Sequence, residues 1–297
     1  MPADRRTERV AQHYRVAHEN HLERGKEEDH LGIHAGYYET GDETPGEAGR
    51  AMRERLQSAV GVDAGDRVLD VGCGFGDAAV WLADTVGASV VGIDIVEEQL
   101  AVARETAADE GVADRTRFVR DDFHEMDAIE NDAVDVVWGC EALCHARSDR
   151  DVVEQAARVL AGEGGSTDRS DADPDDGRIV VADTFRTKRD LTDDERAQFE
   201  TLCEGYVADF EHIDDLMVSL SACGFEDVEL DDVTDAVLPA LERRRRRGVL
   251  LEIDAERECQ HDIDGDGDAA FAAALRHHHH LTERGVLGYF VVSARLA

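Results

Sequence analysis

Lysine is almost missing from this chain: only Lys26 and Lys188 occur in 297 residues. Arginine supplies nearly all of the 32 basic residues, against 68 Asp and Glu, so the formal net charge is -36. A surface that negative repels nucleic acid and anionic membranes, which removes both from the expected partners. No apolar run reaches the ~18 residues of a membrane span. The opening "MPADRRTERVAQHYRVAHENHLERG" is a charged helix without a signal-peptide core, so the expected location is cytoplasmic. The six cysteines lack CxxC spacing and suggest no disulfide framework.

The acidic residues are spread through the chain rather than gathered in a tail. That distribution suggests a halophilic protein, because molar salt shortens the Debye length to roughly 3 Å and screens self-repulsion.

From residue 67 short β-branched runs alternate with helical stretches. "RVLDV" (67–71), "SVVGID" (89–94), "TRFVRD" (116–121), "AVDVVW" (133–138) and "RIVVAD" (178–183) read as buried parallel strands. The segments between them carry apolar residues at helical spacing, which predicts a doubly wound, Rossmann-like α/β sheet. "EDVELDDVT" and "LGYFVVSARL" add two late strands that could pair antiparallel across a long helical insertion. The expected organisation is an N-terminal helical extension and lid over 1–60 and a second unit over 61–297. The latter holds a flexible acidic surface insertion at 161–177 and a helical, acceptor-side insertion at about 232–285.

"VLDVGCGFGD" (68–77) places Gly72, Gly74 and Gly76 between the first strand and a helix. Glycines there let the backbone turn sharply and approach a ligand closely, and the helix start offers unpaired N–H groups. The spacing is GxGxG, not the dinucleotide GxGxxG. Asp70 sits in the strand end, where a carboxylate can meet an ammonium. Asp94 ends the second strand, where a carboxylate can accept both hydroxyls of a ribose. Asp122 and Phe123 follow the third, offering an acceptor for an exocyclic amine beside an aromatic face. An amino-acid end, a ribose and an adenine together describe S-adenosylmethionine.

At these residues the chain resembles the class I S-adenosylmethionine-dependent methyltransferases, whose fold has seven strands with the last antiparallel. The resemblance implies that Asp70, Gly72, Cys73, Gly74 and Gly76 surround the methionine part and that Asp94 holds the ribose. It also implies that Ile95, Asp122 and Phe123 enclose the adenine, with Gln99 close by. "IHAGYYE" (33–39) and "EALCHARSDR" (141–150) resemble the sterol and tocopherol methyltransferase group, which is similar in its N-terminal segment to glycine and sarcosine N-methyltransferases. The acidic insertion and the lack of aromatics in "HLERGKEEDHLGIH" depart from the sterol enzymes.

Glu141 and His145 follow the fourth strand at the carboxyl end of the sheet, where such sites form. They are the expected catalytic pair, Glu141 on the cofactor or acceptor side and His145 as a base. His34, Tyr37 and Tyr38 are expected to form a lid over the methyl group. The implied activity is methyl transfer to a small molecule, with a carbon acceptor such as a prenylated quinone or terpenoid first. A glycine-type amine on the way to betaine, and binding of S-adenosylmethionine without turnover, are the alternatives.

No metal is expected. Cys140, Cys144 and His145 lack a second thiol pair, and in "HHHH" (277–280) only His277 and His280 share a helical face. "DIDGDGDAAFAA" (262–273) opens like a calcium loop but ends on Ala273, where a bidentate Glu belongs. "RRRRR" (243–247) reads as a solvated block bridging to nearby carboxylates, with a site for an anionic acceptor or lipid headgroup as the alternative.

Overall fold

The computed structural model of the chain describes residues 5–27, 31–160, 177–258 and 266–297. All of the acidic insertion at 161–177 but its last residue, together with Cys259 and the first positions of the calcium-like stretch, Asp262 and Asp264, lies outside the described residues.

Seven strands form one sheet: β1 (Arg67–Val71), β2 (Ser89–Asp94), β3 (Thr116–Arg120), β4 (Val136–Cys140), β5 (Arg178–Arg186), β6 (Phe225–Asp232) and β7 (Leu287–Leu296). Their order is β3-β2-β1-β4-β5-β7-β6. β1 to β5 run parallel, whereas β7 is antiparallel to both β5 and β6. The late strands therefore pair as the sequence suggested, with β7 entering between β5 and β6. Chain order reverses between β1 and β4, and the carboxyl ends beside that crevice are where open α/β sheets bind ligands.

Strand residues alternate between two buried layers, because successive side chains point to opposite faces. Val68, Val90, Trp138 and Val180 pack against α2 (Pro45–Val60), α4 (Glu97–Asp109) and α8 (Thr234–Glu258). Leu69, Ile93, Val137 and Val181 pack against α5 (Asp149–Val159) and α7 (Ile213–Ala222) on the other face. The helix after β1 is α3 (Asp77–Trp81), which continues into one π-helical turn, Leu82–Val86. Thr44 and Glu47 close a reciprocal capping box with Pro45 at the first turn, and these residues fix where α2 begins.

Three further helices sit over the carboxyl ends of the strands: α1 (Arg5–Glu27), α6 (Asp193–Tyr206) and α9 (Asp266–Glu283). Leu202 of α6 and Ala274 and Leu281 of α9 join Phe210 and Leu287 in a third apolar cluster. Among the described residues, no helix is long and apolar enough to cross a membrane.

Candidate active site

One cavity runs from the glycine loop to α6, α8 and α9. Its floor is the loop after β1, which folds tightly because Gly72 and Gly76 adopt φ of 69° and 77°. A Cβ on Gly72 would meet Ala142 at 2.8 Å, and one on Gly76 would meet Ala103 at 2.7 Å, so only glycine fits either position. The N–H groups of Gly72 and Cys73 donate to the Ile93 carbonyl at 2.9 and 3.0 Å, stitching the loop to β2.

Three carboxylates meet above this floor. Asp70 is buried, and its Oδ2 has no hydrogen-bond partner. Burial, followed by the charges of Asp94 and Asp77, pushes its pKa up to about 8. Asp94 accepts the Gly74 N–H on Oδ2 and the Val96 N–H on Oδ1, both at 2.9 Å. Burial raises its pKa despite those bonds. Each Asp94 oxygen retains a lone pair for a further donor. The buried amide of Gln99 has an unpartnered Nε2. An orphaned acidic oxygen, an orphaned amide donor and a doubly anchored carboxylate fit a ligand with an ammonium, a carboxylate and a diol.

Ile95, Asp122 and Phe123 line the same cavity. Asp122 Oδ1 contacts His124 Nδ1 at 2.5 Å, and its Oδ2 accepts from Thr7 Oγ1 of α1 at 3.1 Å. Burial pushes the Asp122 carboxyl up, but these bonds outweigh it and hold its pKa below the ordinary value. Cys73 reaches the cavity edge while its side chain packs in the core against β2, and burial pushes its thiol well up.

Glu141 and His145 do converge on the cavity, from the β4 end. Glu141 sits in the left-handed region at φ 50°, a strained conformation for a non-glycine residue. Its Oε1 accepts from the Ala35 N–H at 2.5 Å and from the Tyr289 hydroxyl at 3.1 Å. Its Oε2 faces the Arg244 guanidinium at 3.4 and 3.5 Å. Burial pushes the Glu141 carboxyl up, but Arg244, with His34 and the Ala35 N–H behind it, holds its pKa below normal.

His145 lies 3.2 Å from the Val207 carbonyl through Nδ1 and 2.8 Å from the Tyr14 hydroxyl through Nε2. A carbonyl can only accept, so the proton belongs on Nδ1 and Nε2 presents a lone pair to the Tyr14 O–H. Burial lowers the His145 pKa to about 4, which keeps the ring neutral, and raises that of Tyr14 well above its usual value.

The proposed lid residues separate. His34 lines the cavity, and its Nε2 lies 4.0 Å from Asp77. Tyr37 and Tyr38 stand elsewhere. Tyr38 is buried in the core cluster with its hydroxyl bonded to Arg243, and Tyr37 packs under the Arg55 guanidinium. In an irregular loop an aromatic pair can serve the core as readily as a pocket, and here α2 and α8 claim both rings.

The arginine block also departs from its solvated reading. Arg245 and Arg246 do pair with Glu242 on the surface side. Arg244 and Arg247, however, line the cavity, and Arg243 clasps the loop before α2. The helical stripe explains it: Val237, Leu241 and Gly248 are buried, and position 244 falls on the same face. Likewise Phe271, Leu275 and His278 are spaced to face inward from α9, and all three line the cavity. His278 bonds Thr184 Oγ1 through Nε2 at 3.2 Å, and burial drives its pKa down to about 3. The sequence reading also passed over Tyr14, Tyr206 and Asp183. Asp183 is buried, accepts the Cys144 and Thr184 N–H groups at 3.0 and 2.7 Å, and is pushed by burial up to about 7. Burial raises the Cys140 and Cys144 thiols well above their usual range, so both stay protonated.

Residues 68–164 match the family model described as a methyltransferase domain. The chain is 34% identical over 221 residues to "Methyltransferase GfsG" of Streptomyces halstedii, covering 71% of this chain and 74% of that protein. It is 30% identical over 266 residues to the "27-O-demethylrifamycin SV methyltransferase" of Amycolatopsis mediterranei, covering 89% of each. Among solved structures, the [4+2]-cyclase SpnF superposes with a TM-score of 0.75 at 22% identity, over 97% of this chain and 94% of that one.

Proposed function

The chain belongs to the class I S-adenosylmethionine-dependent methyltransferases, and from that premise we propose that it methylates a hydroxyl group of a largely apolar small molecule. The observation that carries this reading is the neutral His145, whose Nε2 lone pair is held by the Tyr14 hydroxyl inside the cavity.

The cofactor-binding roles rest on the groups left unsatisfied around the glycine loop. Asp70 Oδ2 is the acceptor for the methionine ammonium, and the Gln99 amide is a donor to the carboxylate end. Asp94 holds the ribose hydroxyls through its remaining lone pairs, while Ile95 and Phe123 flank the adenine and Asp122 accepts from its amine. Bound there, S-adenosylmethionine supplies an electrophilic methyl on a sulfonium.

The chain's own residues manage alignment and one proton. The acceptor hydroxyl donates to the Tyr14 oxygen, and Tyr14 donates to His145 Nε2. Were the acceptor oxygen to take the methyl group, with the carbon–sulfur bond pair left on the departing thioether, the acceptor proton would pass to Tyr14 and the Tyr14 proton to His145. The imidazolium is stabilised by the Val207 carbonyl on Nδ1. A histidine with a pKa of about 4 is a weak base, but an alkylated oxonium is a far stronger acid than an imidazolium. A methylated ammonium is a much weaker acid and would keep its proton, which favours oxygen over the glycine-type amine. An attacked alkene would need a negative charge facing its cation, and Glu141 already serves Arg244, Tyr289 and the Ala35 N–H. This argues against the quinone and terpenoid carbon acceptors expected first. The relative named as a 27-O-demethylrifamycin SV methyltransferase, similar over 89% of both chains, supports an oxygen acceptor.

The test is incubation of the enzyme and methyl-labelled cofactor with matched panels of alcohols and phenols, glycine-type amines, and prenylated quinones and terpenoids. Label fragmenting as a methoxy group is the expected product. Label on carbon or nitrogen alone would refute the oxygen reading.

A further inference from the structure

Among the described residues, one positive charge lining the cavity has no partner. Arg247 is half-buried and lines the cavity, and no hydrogen bond or ion pair engages it among the described residues. This cannot reflect a shortage of carboxylates in a chain with 68 acidic residues and 32 basic ones. Its neighbours behave differently: Arg243 binds Tyr38 and the Glu43 carbonyl, Arg244 faces Glu141, and Arg245 and Arg246 share Glu242.

Arg247 stands three residues beyond Arg244, so the two guanidinium groups emerge from neighbouring positions on one face of α8. From α6 comes Tyr206, whose buried hydroxyl has the Arg244 guanidinium facing its oxygen and no acceptor among the described residues for its proton. The Tyr206 ring meets His278 edge-on, with centroids 5.6 Å apart, and the buried Nδ1 of His278 is likewise unpartnered. An unpaired guanidinium, a hydroxyl proton without an acceptor and an unpartnered imidazole nitrogen therefore line this part of the cavity. Phe271 and Leu275 supply the apolar wall between them. Buried polar atoms without partners are costly, and their clustering in one cavity points to a missing ligand group.

We propose that this end of the cavity is an anion subsite: the methyl acceptor carries a carboxylate or another acidic oxygen group that Arg247 pairs with and Tyr206 donates to. Arg244 contributes only its residual field, because Glu141 neutralises it. The inference rests on the acceptor cavity assigned above and narrows the acceptor from an apolar hydroxyl compound to an apolar hydroxy-acid or similar anion. Recognition of the acid and the site of methylation are separate, so the anion is read at α8 while the hydroxyl is held near Tyr14.

The test uses binding without turnover, so its outcome is independent of whether oxygen is the atom methylated. Enzyme saturated with S-adenosylhomocysteine is titrated with phenylbutyrate and with the uncharged phenylbutanamide at one fixed KCl concentration. The carboxylate is expected to bind at least about tenfold more tightly, the scale of one charge-assisted hydrogen bond. Arg247→Met should shrink the preference to within about threefold, and Arg247→Lys should restore part of it. Affinity for S-adenosylhomocysteine and the melting temperature should stay unchanged in both variants, which separates loss of the subsite from loss of the fold. Failure of the carboxylate to saturate the site, equal binding of the two probes, or a preference that survives Arg247→Met would each overturn the proposal.

Discussion

Replacing Glu141 by Gln isolates the charge that ties three parts of the molecule together. The glutamine keeps the shape and can still accept from the Ala35 N–H and the Tyr289 hydroxyl, but it leaves Arg244 facing no anion. Breaking a buried ion pair by removing one partner costs ~3–5 kcal/mol. Here the Glu141 and Arg244 side chains keep 18% and 23% of their exposure, and the contact is a long 3.4 Å, so the expected loss is about 2–3 kcal/mol. For a domain of this size that corresponds to a drop in Tm of roughly 4–12 °C. The sign of its pH dependence follows from the depressed pKa of Glu141. A carboxyl whose folded pKa is lowered contributes stability above its unfolded value, and that contribution disappears as pH falls through the folded value. The melting curves of wild type and Glu141→Gln should therefore be well separated at pH 7 and converge in acid. Thermal unfolding at constant KCl, extended to Arg244→Met and the double variant, measures both the gap and the coupling energy. A Glu141→Gln Tm within about 1 °C of wild type at pH 7, or a gap undiminished in acid, would refute the pairing argument.

His145→Asn should lower kcat by about 10²–10⁴, the usual contribution of a positioned base. In wild type saturated with S-adenosylmethionine, kcat should hold level as pH falls and decline only near the His145 pKa of about 4; retention of most activity by the asparagine variant would remove the base from the mechanism. Asp70 has a folded pKa raised to about 8, so the stability it contributes is complete below its unfolded value and lost as pH rises through about 8. An ammonium beside it should drive the proton off. Calorimetry of S-adenosylhomocysteine binding near pH 7, in buffers of different ionisation enthalpy, should show release of up to about one proton, abolished in Asp70→Asn. The net charge of -36 predicts a Tm that rises from dilute buffer to molar KCl, and a Tm indifferent to KCl would defeat the halophilic reading.

The residues proposed to hold the cofactor could be named from the sequence because their spacing is local. Gly72, Gly74 and Gly76 lie between a strand and a helix, and Asp70 and Asp94 lie at strand ends that a parallel sheet must bring side by side. The acceptor end depends on partners far apart in the chain. Tyr14 and His145 are separated by 131 positions and Arg244 and Glu141 by 103, and no spacing rule connects them. Arg244 and His278 were hidden differently. Each falls on the buried stripe of its helix, but runs of five arginines and four histidines put the same residue at every phase of a turn, so residue type alone does not mark the inward position. Tyr37 and Tyr38 illustrate a real ambiguity, since loop aromatics obey no periodicity that separates a core role from a lid.

Charge is segregated along the cavity. Asp70 and Asp94 line it at the glycine loop, which suits the ammonium and sulfonium of the methyl donor proposed to bind there, while Arg247 lines it from α8. If the protein works in molar salt, as its charge predicts, electrostatic attraction at the surface is confined to roughly 3 Å and long-range steering cannot select an acceptor there. Desolvated groups are screened far less, and discrimination must then come from contacts made inside the cavity. KCl should consequently act on the two ends of the problem unequally: it should change the stability of the fold strongly and the Arg247-dependent preference between charged and uncharged ligands weakly. If the preference instead fell in parallel with surface screening as KCl rose, Arg247 would be acting through solvent rather than inside the cavity.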